Sequence, residues 1–383
     1  MAKVIVTIPT YNERTSTEKM IETLAGIFSQ IKNHQMEVLY IDDTSPDKTY
    51  ELVRQKMKTY NWVHLLLNAE KKGLVIAYMK GFEYAIEELG ADYIMEFDGD
   101  FQHDPNDIPR LVAEINNGYD FIVGSRYIKG GSIPKEWGFK RQFLSVVGNL
   151  VARVLLILPN QHDVTGGFRL SKVKGFMADF PFEKILSRSF AYKIHTFFFM
   201  VQRGAKVKEV AIKFQPRTEG ESKIIKNEMQ ETLRVIFMLQ LHNPKLQRFL
   251  KFATVGFTGF IVNWGLLRAF RNLGLPEIAS WALSTEVAIV SNFTLNNFWT
   301  FSEKKILGLK NIFNKFFQFN LTSVGAIVIQ SVLGPLGVKL VGIQYDFLVL
   351  AFVVAFVVLP YNYAMYNIFI WRTWKFPRIS KRA

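Results

Sequence analysis

A doubly wound α/β sheet domain followed by an all-α domain of four transmembrane helices is the fold that this 383-residue sequence predicts. Three observations predict it. Up to residue 123, short β-branched or apolar runs alternate with helical periodicity, the pattern of a largely parallel sheet covered on both faces. Polar clusters follow the strands directly, where such sheets gather ligands. From Gln247 onward the chain is at once most apolar and most basic, with fourteen Lys/Arg against four Asp/Glu.

Composition narrows the classes. With 49% hydrophobic residues and 34 Phe, the chain can bury a large core and is not disordered. The absence of cysteine excludes disulfides, cysteine-ligated zinc and thiol catalysis. Ten of the fourteen net positive charges lie in the last 137 residues, flanking apolar spans. That is the charge placement of a membrane protein; no nucleic-acid partner is expected.

The first strand, 3–8, is the run Val4-Ile5-Val6-Thr7-Ile8 and stops at Pro9. It takes the place of an apolar signal core, so no signal peptide is expected. Further strands are expected at 36–41, 62–67, 92–97 and 120–123, separated by helices near 17–32, 46–59, 74–89 and 107–117. Two amphipathic stretches follow. Residues 139–158 align Phe143, Val146, Val147, Leu150 and Val154 on one face beside Lys140, Arg141 and Arg153. Residues 224–241 mix Ile224, Met229, Leu233, Ile236 and Phe237 with Lys226 and Arg234. Such helices suit a membrane surface, and periodicity alone equally allows packing on the sheet.

Four spans are expected at roughly 248–270, 277–300, 316–341 and 345–370, near the ~20 residues that cross a bilayer. Loop 302–315 carries Lys304, Lys305, Lys310 and Lys315, and the tail carries Arg372, Lys375, Arg378, Lys381 and Arg382. The positive-inside rule places both, together with the sheet domain, in the cytoplasm. Ser291–Asn297 echoes Tyr361–Asn367 seventy residues on, and Ala253–Gly256 echoes Thr322–Gly325, which predicts two copies of a helical hairpin. The expected domains are 1–223, a juxtamembrane segment 224–246, and the membrane domain 247–383.

Three polar clusters carry the chemistry. In Asp98-Gly99-Asp100-Phe101-Gln102, alternate residues of an extended segment point the same way, so Asp98, Asp100 and Gln102 can converge. Hard oxygen donors of this kind hold Mg²⁺ or Mn²⁺ and leave room for substrate phosphates; a helix-capping acidic turn is the plainer alternative. In Asp42-Asp43, one carboxylate can cap the following helix and the other reach a base or ribose. Pro9-Thr10-Tyr11-Asn12-Glu13 offers an aromatic face and a carboxylate at a strand end. Arg126, the pair Arg141 and Ser145 four residues apart, and Arg217 with Lys223 are either solvated surface charges or a second anion site.

These blocks, with Ser125-Arg126-Tyr127, Thr165-Gly166-Gly167-Phe168-Arg169 and Arg217-x4-Ser222-Lys223, resemble inverting family-2 glycosyltransferases. Within them they resemble the dolichol-phosphate mannose synthases and related polyprenyl-phosphate hexosyltransferases, and residues 247–383 resemble a GtrA-like membrane domain. The resemblance implies a GT-A fold. It implies that Pro9, Tyr11, Glu13, Ile41 and Asp43 contact the donor nucleoside, with Gly99 behind the nucleotide. Asp98, Asp100 and Gln102 would hold the metal. Arg126, Arg141, Ser145 and Arg217 would bind the acceptor phosphate, with Lys223 on the donor. Asp100, Arg126 and Arg217 are the expected catalytic residues. Lys72-Gly73-Leu74-Val75 lacks the second glycine of many relatives.

The implied activity is inverting transfer of a hexose, by similarity mannose from GDP-mannose, to a polyprenyl or dolichyl phosphate at the cytoplasmic face. UDP-glucose is the alternative donor. A lipid-linked sugar flippase with a degenerate transferase domain is the rival of another class. A processive polysaccharide synthase fits less well, because no Gln-x-x-Arg-Trp block is present. The chemistry needs no general base: a lipid monophosphate, with its second pKa near ~6, is already a dianionic nucleophile at neutral pH.

Overall fold

The computed structural model describes residues 1–216 and 228–374, which divide into two compact units, Met1–Gln240 and Leu241–Ala383. The first is built on a seven-stranded sheet of order β3-β2-β1-β4-β6-β5-β7. Its strands are β1 (Lys3–Thr10), β2 (Gln35–Asp42), β3 (Val63–Leu67), β4 (Tyr93–Glu96), β5 (Phe121–Ser125), β6 (Arg169–Lys172) and β7 (Val207–Ala211).

Pairing is parallel except at β6, which runs antiparallel to both β4 and β5. Five strands are legible in sequence; β6 and β7 are not. Arg169-Leu170-Ser171-Lys172 is short and half cationic, and Val207–Ala211 places Lys208 and Glu209 mid-strand, so neither reads as a β-branched run.

Strand alternation sorts the core into two layers. Ile5, Leu39, Ile41, Ile94, Phe121 and Val123 pack with α3 (Leu74–Glu87), α6 (Tyr192–Gln202) and α7 (Glu228–Leu241). Val4, Val6, Ile8, Val38, Tyr40, Met95 and Ile122 pack on the other face with α1 (Arg14–Phe28), α2 (Thr49–Met57) and α4 (Ile108–Ala113). The period of two in the sequence thus becomes two cores, one on each face. Gly73 caps α3 at φ 99°, a backbone region that a Cβ disfavours, so this glycine is a requirement of the turn.

On α5 (Phe139–Leu155) only Asn149 and Ala152 are buried. The apolar stripe faces outward: Phe143, Val146, Leu150 and Val154 are all exposed, as are Met229, Leu233 and Phe237 on α7. Of the two readings of these helices, packing of the stripe on the sheet is the one the structure removes for α5. Ile224 and Lys226 lie outside the described residues.

The second unit is helical. It comprises α8 (Pro244–Asn272), α9 (Glu277–Leu295), α10 (Leu309–Val341), α11 (Asp346–Val353) and α12 (Leu359–Met365), with π-helical turns at Asn296–Thr300, Val354–Val358 and Tyr366–Ile370. Among the described residues, Pro244–Asn272 and Ala351–Ile370 are long and apolar enough to cross a bilayer by length and composition. Asn243 caps α8 by accepting from Lys245 N at 3.0 Å, with Pro244 in the first turn. Helices α8 and α9 approach closely at Gly259, where a Cβ would lie 2.1 Å from Asn292 Oδ1.

The residues of the sequence echo run into two of the π-helical turns. The π turns at Asn296–Thr300 and Tyr366–Ile370 occupy equivalent positions seventy residues apart. Immediately after each stands an aromatic residue, Phe301 or Trp371, and these two stack at 4.3 Å with an interplanar angle of 9°. Trp371 Nε1 also donates to Asn297 Oδ1 at 3.1 Å.

Candidate active site

The carboxyl ends of β1, β2 and β4 carry the three polar clusters, and each loop holds a non-glycine residue at positive φ: Asn12 at 57°, Thr44 at 52° and Phe101 at 58°. Left-handed backbone at a bulky residue such as Phe101 is strained, and strain of this kind gathers at functional loops.

The adjacent aspartates of β2 divide their work. Asp42 is fully buried and satisfied within the chain: Oδ2 accepts from Thr10 Oγ1 at 3.1 Å and Ser45 Oγ at 2.7 Å, and Oδ1 from Ser45 N at 2.8 Å. It locks the β1 and β2 ends together. Asp43 accepts from Asn68 Nδ2 at 2.8 Å, and Lys80 Nζ donates to Asn68 Oδ1 at 3.3 Å. Burial, then the neighbouring Asp42 charge, raises the Asp43 pKa against the pull of Asn68. Ile41 is buried in the sheet one residue before.

Beside this pair, Lys71 Nζ lies 3.3 Å from the centre of the Tyr11 ring, a cation–π contact. Glu13 N donates to Thr49 Oγ1 at 3.2 Å. Gly99 sits where β1 and the acidic loop meet; a Cβ there would be 3.1 Å from Ile8 Cγ2 and 3.6 Å from Glu13 Oε2. The Pro9–Glu13 turn, Asp43 and Gly99 are therefore at one end of the sheet.

In the acidic loop, Asp98 Oδ1 accepts from Tyr78 Oη at 2.8 Å. Burial first, and the Asp98 charge second, hold the Tyr78 pKa well above its ordinary value, so this phenol is a permanent donor. Gln102 N donates to Asp100 Oδ1 at 3.1 Å. Gln102 and Gln215 bond reciprocally, Gln215 N to Gln102 O at 2.8 Å and Gln102 Nε2 to Gln215 O at 3.2 Å. That pair ties the loop to the chain just before residue 217; Arg217 and Lys223 lie outside the described residues.

Among the described residues no group of three or more His, Asp and Glu is suited to an ion. The donor set that fits a hard divalent ion is two carboxylates with the Gln102 amide oxygen, whose Nε2 is already turned to Gln215, the rest of the shell coming from outside the chain.

Arg126 is held firmly. Its Nε and Nη2 bind Asp163 Oδ2 and Oδ1 at 2.7 and 2.8 Å, its backbone N adds 3.0 Å to Oδ2, and Nη2 reaches Thr165 Oγ1 at 2.9 Å. Burial opposes the Asp163 carboxylate, yet Arg126 outweighs it and holds Asp163 below the ordinary carboxylate range. Tyr127, next in sequence, shares a 2.6 Å hydrogen bond with Ser145 Oγ on α5. Arg141, one turn earlier on α5, lies over the Trp137 ring at 3.9 Å.

Tyr78 and Asp163, which bind Asp98 and Arg126, were not singled out in sequence, and His103 appears there only as the end of the Asp98–His103 block. His103 is buried among Phe97, Phe168 and Phe214, and its Nδ1 has no hydrogen-bond partner. Burial pushes its pKa down to about 4, so the 3.9 Å approach of Nδ1 to Asp98 Oδ2 is not an ion pair at neutral pH. Asp163 stands two residues ahead of the Thr165-Gly166-Gly167-Phe168-Arg169 block.

With this geometry in view, comparison with known proteins is direct. Glycosyl transferase family 2 matches residues 5–180, and the GtrA/DPMS transmembrane domain matches residues 251–371. A dolichol-phosphate mannosyltransferase from Pyrococcus furiosus is 33% identical over 86% of this chain and 88% of its own. An undecaprenyl-phosphate mannosyltransferase from Micrococcus luteus is 32% identical over 58% and 87%, and a polyprenol monophosphomannose synthase from Mycolicibacterium smegmatis 30% over 60% and 84%. The chain belongs to the family-2 glycosyltransferases, in the dolichol-phosphate mannosyltransferase group whose GT-A domain is joined to a GtrA/DPMS transmembrane domain.

Proposed function

We propose that this glycosyltransferase moves mannose from GDP-mannose to a polyprenyl phosphate, with inversion, at the cytoplasmic face of the membrane. The observation that carries the reading is the pairing at one sheet end of the Asp98–Gln102 acidic loop with the Tyr11, Glu13 and Asp43 cluster, in a chain that also carries a transmembrane domain. The polyprenol- and dolichol-phosphate mannosyltransferase relatives, covered over 84–88% of their own lengths, support the sugar and the acceptor class.

In this reading Tyr11, Glu13 and Asp43 hold the nucleoside, with Pro9 and Ile41 forming the adjoining walls. Asp98, Asp100 and Gln102 hold Mg²⁺ or Mn²⁺, which supplies Lewis-acid neutralisation of the leaving diphosphate. Arg126, fixed by Asp163, and Arg141 with Ser145 orient the acceptor phosphate; Arg217 and Lys223 complete the anion site. The lysines of loop 302–315 keep the membrane domain oriented with the sheet domain in the cytoplasm.

The test is a transfer assay on the protein in lipid nanodiscs, with labelled GDP-mannose or UDP-glucose, with and without polyprenyl phosphate, and with EDTA. Mannosyl lipid formed from GDP-mannose and abolished by EDTA is expected. Preference for UDP-glucose, or sugar nucleotide consumed with no lipid product, overturns the assignment.

A further inference from the structure

Lys193 is the second residue of α6 and is 5% exposed, yet its ammonium makes no hydrogen bond or ion pair among the described residues. An ammonium on so enclosed a residue, with no carboxylate bound to it, is suited to holding an anion.

Its surroundings place it. A Cβ on Gly167 would lie 2.1 Å from Lys193 Nζ and 3.6 Å from His103 Cε1. The ammonium therefore packs where a Gly167 side chain would be, on the side that also faces His103, whose Nδ1 is a buried polar atom without a partner and lies 3.9 Å from Asp98 Oδ2. The unsatisfied His103 ring nitrogen and the Lys193 ammonium thus lie on either side of Gly167, with the ring nitrogen facing the acidic loop.

The nearby carboxylates do not absorb the charge. Glu96 is engaged by Tyr192 Oη at 3.0 Å, and Glu228 accepts from Ser189 Oγ at 3.2 Å. Neither comes within ion-pairing distance of Nζ, and the Phe190 and Tyr192 rings stand 5.5 and 5.9 Å away.

We propose that Lys193 binds a phosphate oxyanion of the reacting pair, the donor's diphosphate or the acceptor's monophosphate, through the opening left by Gly167. The proposal rests on the transferase reading for the identity of those phosphates. It does not rest on it for the presence of an anion site. A cation there would share the charge that builds on the phosphates as the sugar moves.

The experiment uses the full chain and three variants: Lys193→Met, which keeps the aliphatic packing; Gly167→Ala, which keeps the charge but puts a methyl where the ammonium sits; and both together. Binding of GDP with Mn²⁺ and of farnesyl phosphate is measured by calorimetry, with thermal denaturation and the transfer assay alongside. Each single variant is expected to weaken one probe by at least about tenfold, and the double variant to be no worse than Lys193→Met, because both changes remove one interaction.

Loss confined to GDP assigns the site to the donor, and loss confined to farnesyl phosphate assigns it to the acceptor. If both single variants bind both probes within about threefold of the parent, whatever their melting temperatures, Lys193 holds no phosphate and the proposal is overturned. Should Lys193→Met fail to fold, Gly167→Ala decides in the same way, since the atom it displaces is the free end of a flexible side chain. A parent protein that transfers nothing to lipid while the variants still lose phosphate binding would sink the function and leave the Lys193 site standing.

Discussion

Asp163 fixes a candidate site residue from behind. It takes two hydrogen bonds from the Arg126 guanidinium, one from its backbone and one from Gly166 N at 2.9 Å, all without exposure to water. Asp163→Asn removes the charge and leaves Arg126 buried against a neutral amide. The expected outcome is a loss of stability of about 3 kcal/mol by chemical denaturation, on the scale of a broken buried pair. Transfer should fall by at least about tenfold, while GDP affinity stays near the parent's. Loss of stability with unchanged transfer would mean that Arg126 has no part in the reaction. A second residue-scale prediction concerns pH. Burial lowers the His195 pKa from 6.5 to about 4, and its Nδ1 accepts from Leu186 N at 3.3 Å, so the folded ring is neutral. The folded value lies below the unfolded one, so this contribution to stability is complete above pH 6.5 and declines as pH falls toward 4. His195→Gln keeps an acceptor for Leu186 and should reduce the proton uptake on unfolding in that window by about one, read as a shallower fall of stability with pH. The acidic loop, Asp43, Arg126 and Ser145 were legible in sequence because each stands beside a strand end or at helical spacing. Tyr78 was not: it reads locally as a core residue of α3, and only packing brings its hydroxyl to Asp98.

At the scale of single elements, α5 is the clearest departure from a water-soluble helix. Its Phe143, Val146, Leu150 and Val154 are exposed, Phe139 at one end is 83% exposed, and Ile157 just past the other end is 75% exposed. A continuous apolar face of this extent marks an interaction surface, and the basic residues Lys140, Arg141 and Arg153 around it suit anionic lipid headgroups. The native chain lacks cysteine, so Val154→Cys can carry a single bimane label. In vesicles its emission should shift to the blue and be quenched by spin-labelled lipid. Emission equal to that of an exposed loop label would show that the face stays in water. The strands missed in sequence carry a related lesson. β1, β2 and β4 announce themselves through apolar runs buried on both sides. β6 and β7 hold their places by pairing with β5, and Arg169 is buried in β6 because its guanidinium finds the carbonyls of Lys193 and Val164. Tertiary partners, invisible in a single sequence, decide such strands.

For the whole molecule, the orientation of the membrane domain is open to a simple measurement. Ser302→Cys, on the lysine-rich loop, should resist impermeant maleimide in intact cells and react once the membrane is opened; labelling from outside reverses the topology. The stacking of Phe301 on Trp371 bears on how that domain is held together. These two side chains stand seventy residues apart, at matching positions of the sequence echo, and residues that meet their own counterparts are what an interface between like halves requires. If the expected two copies of a hairpin hold together through such contacts, the connection between them can be cut without loss of the domain. Severed between Leu307 and Gly308 and expressed as two fragments, the halves should find each other in the membrane and copurify. Trp371→Ala should weaken that association. Fragments that insert yet never associate would show that the linker, and not the contact between the copies, holds the domain together.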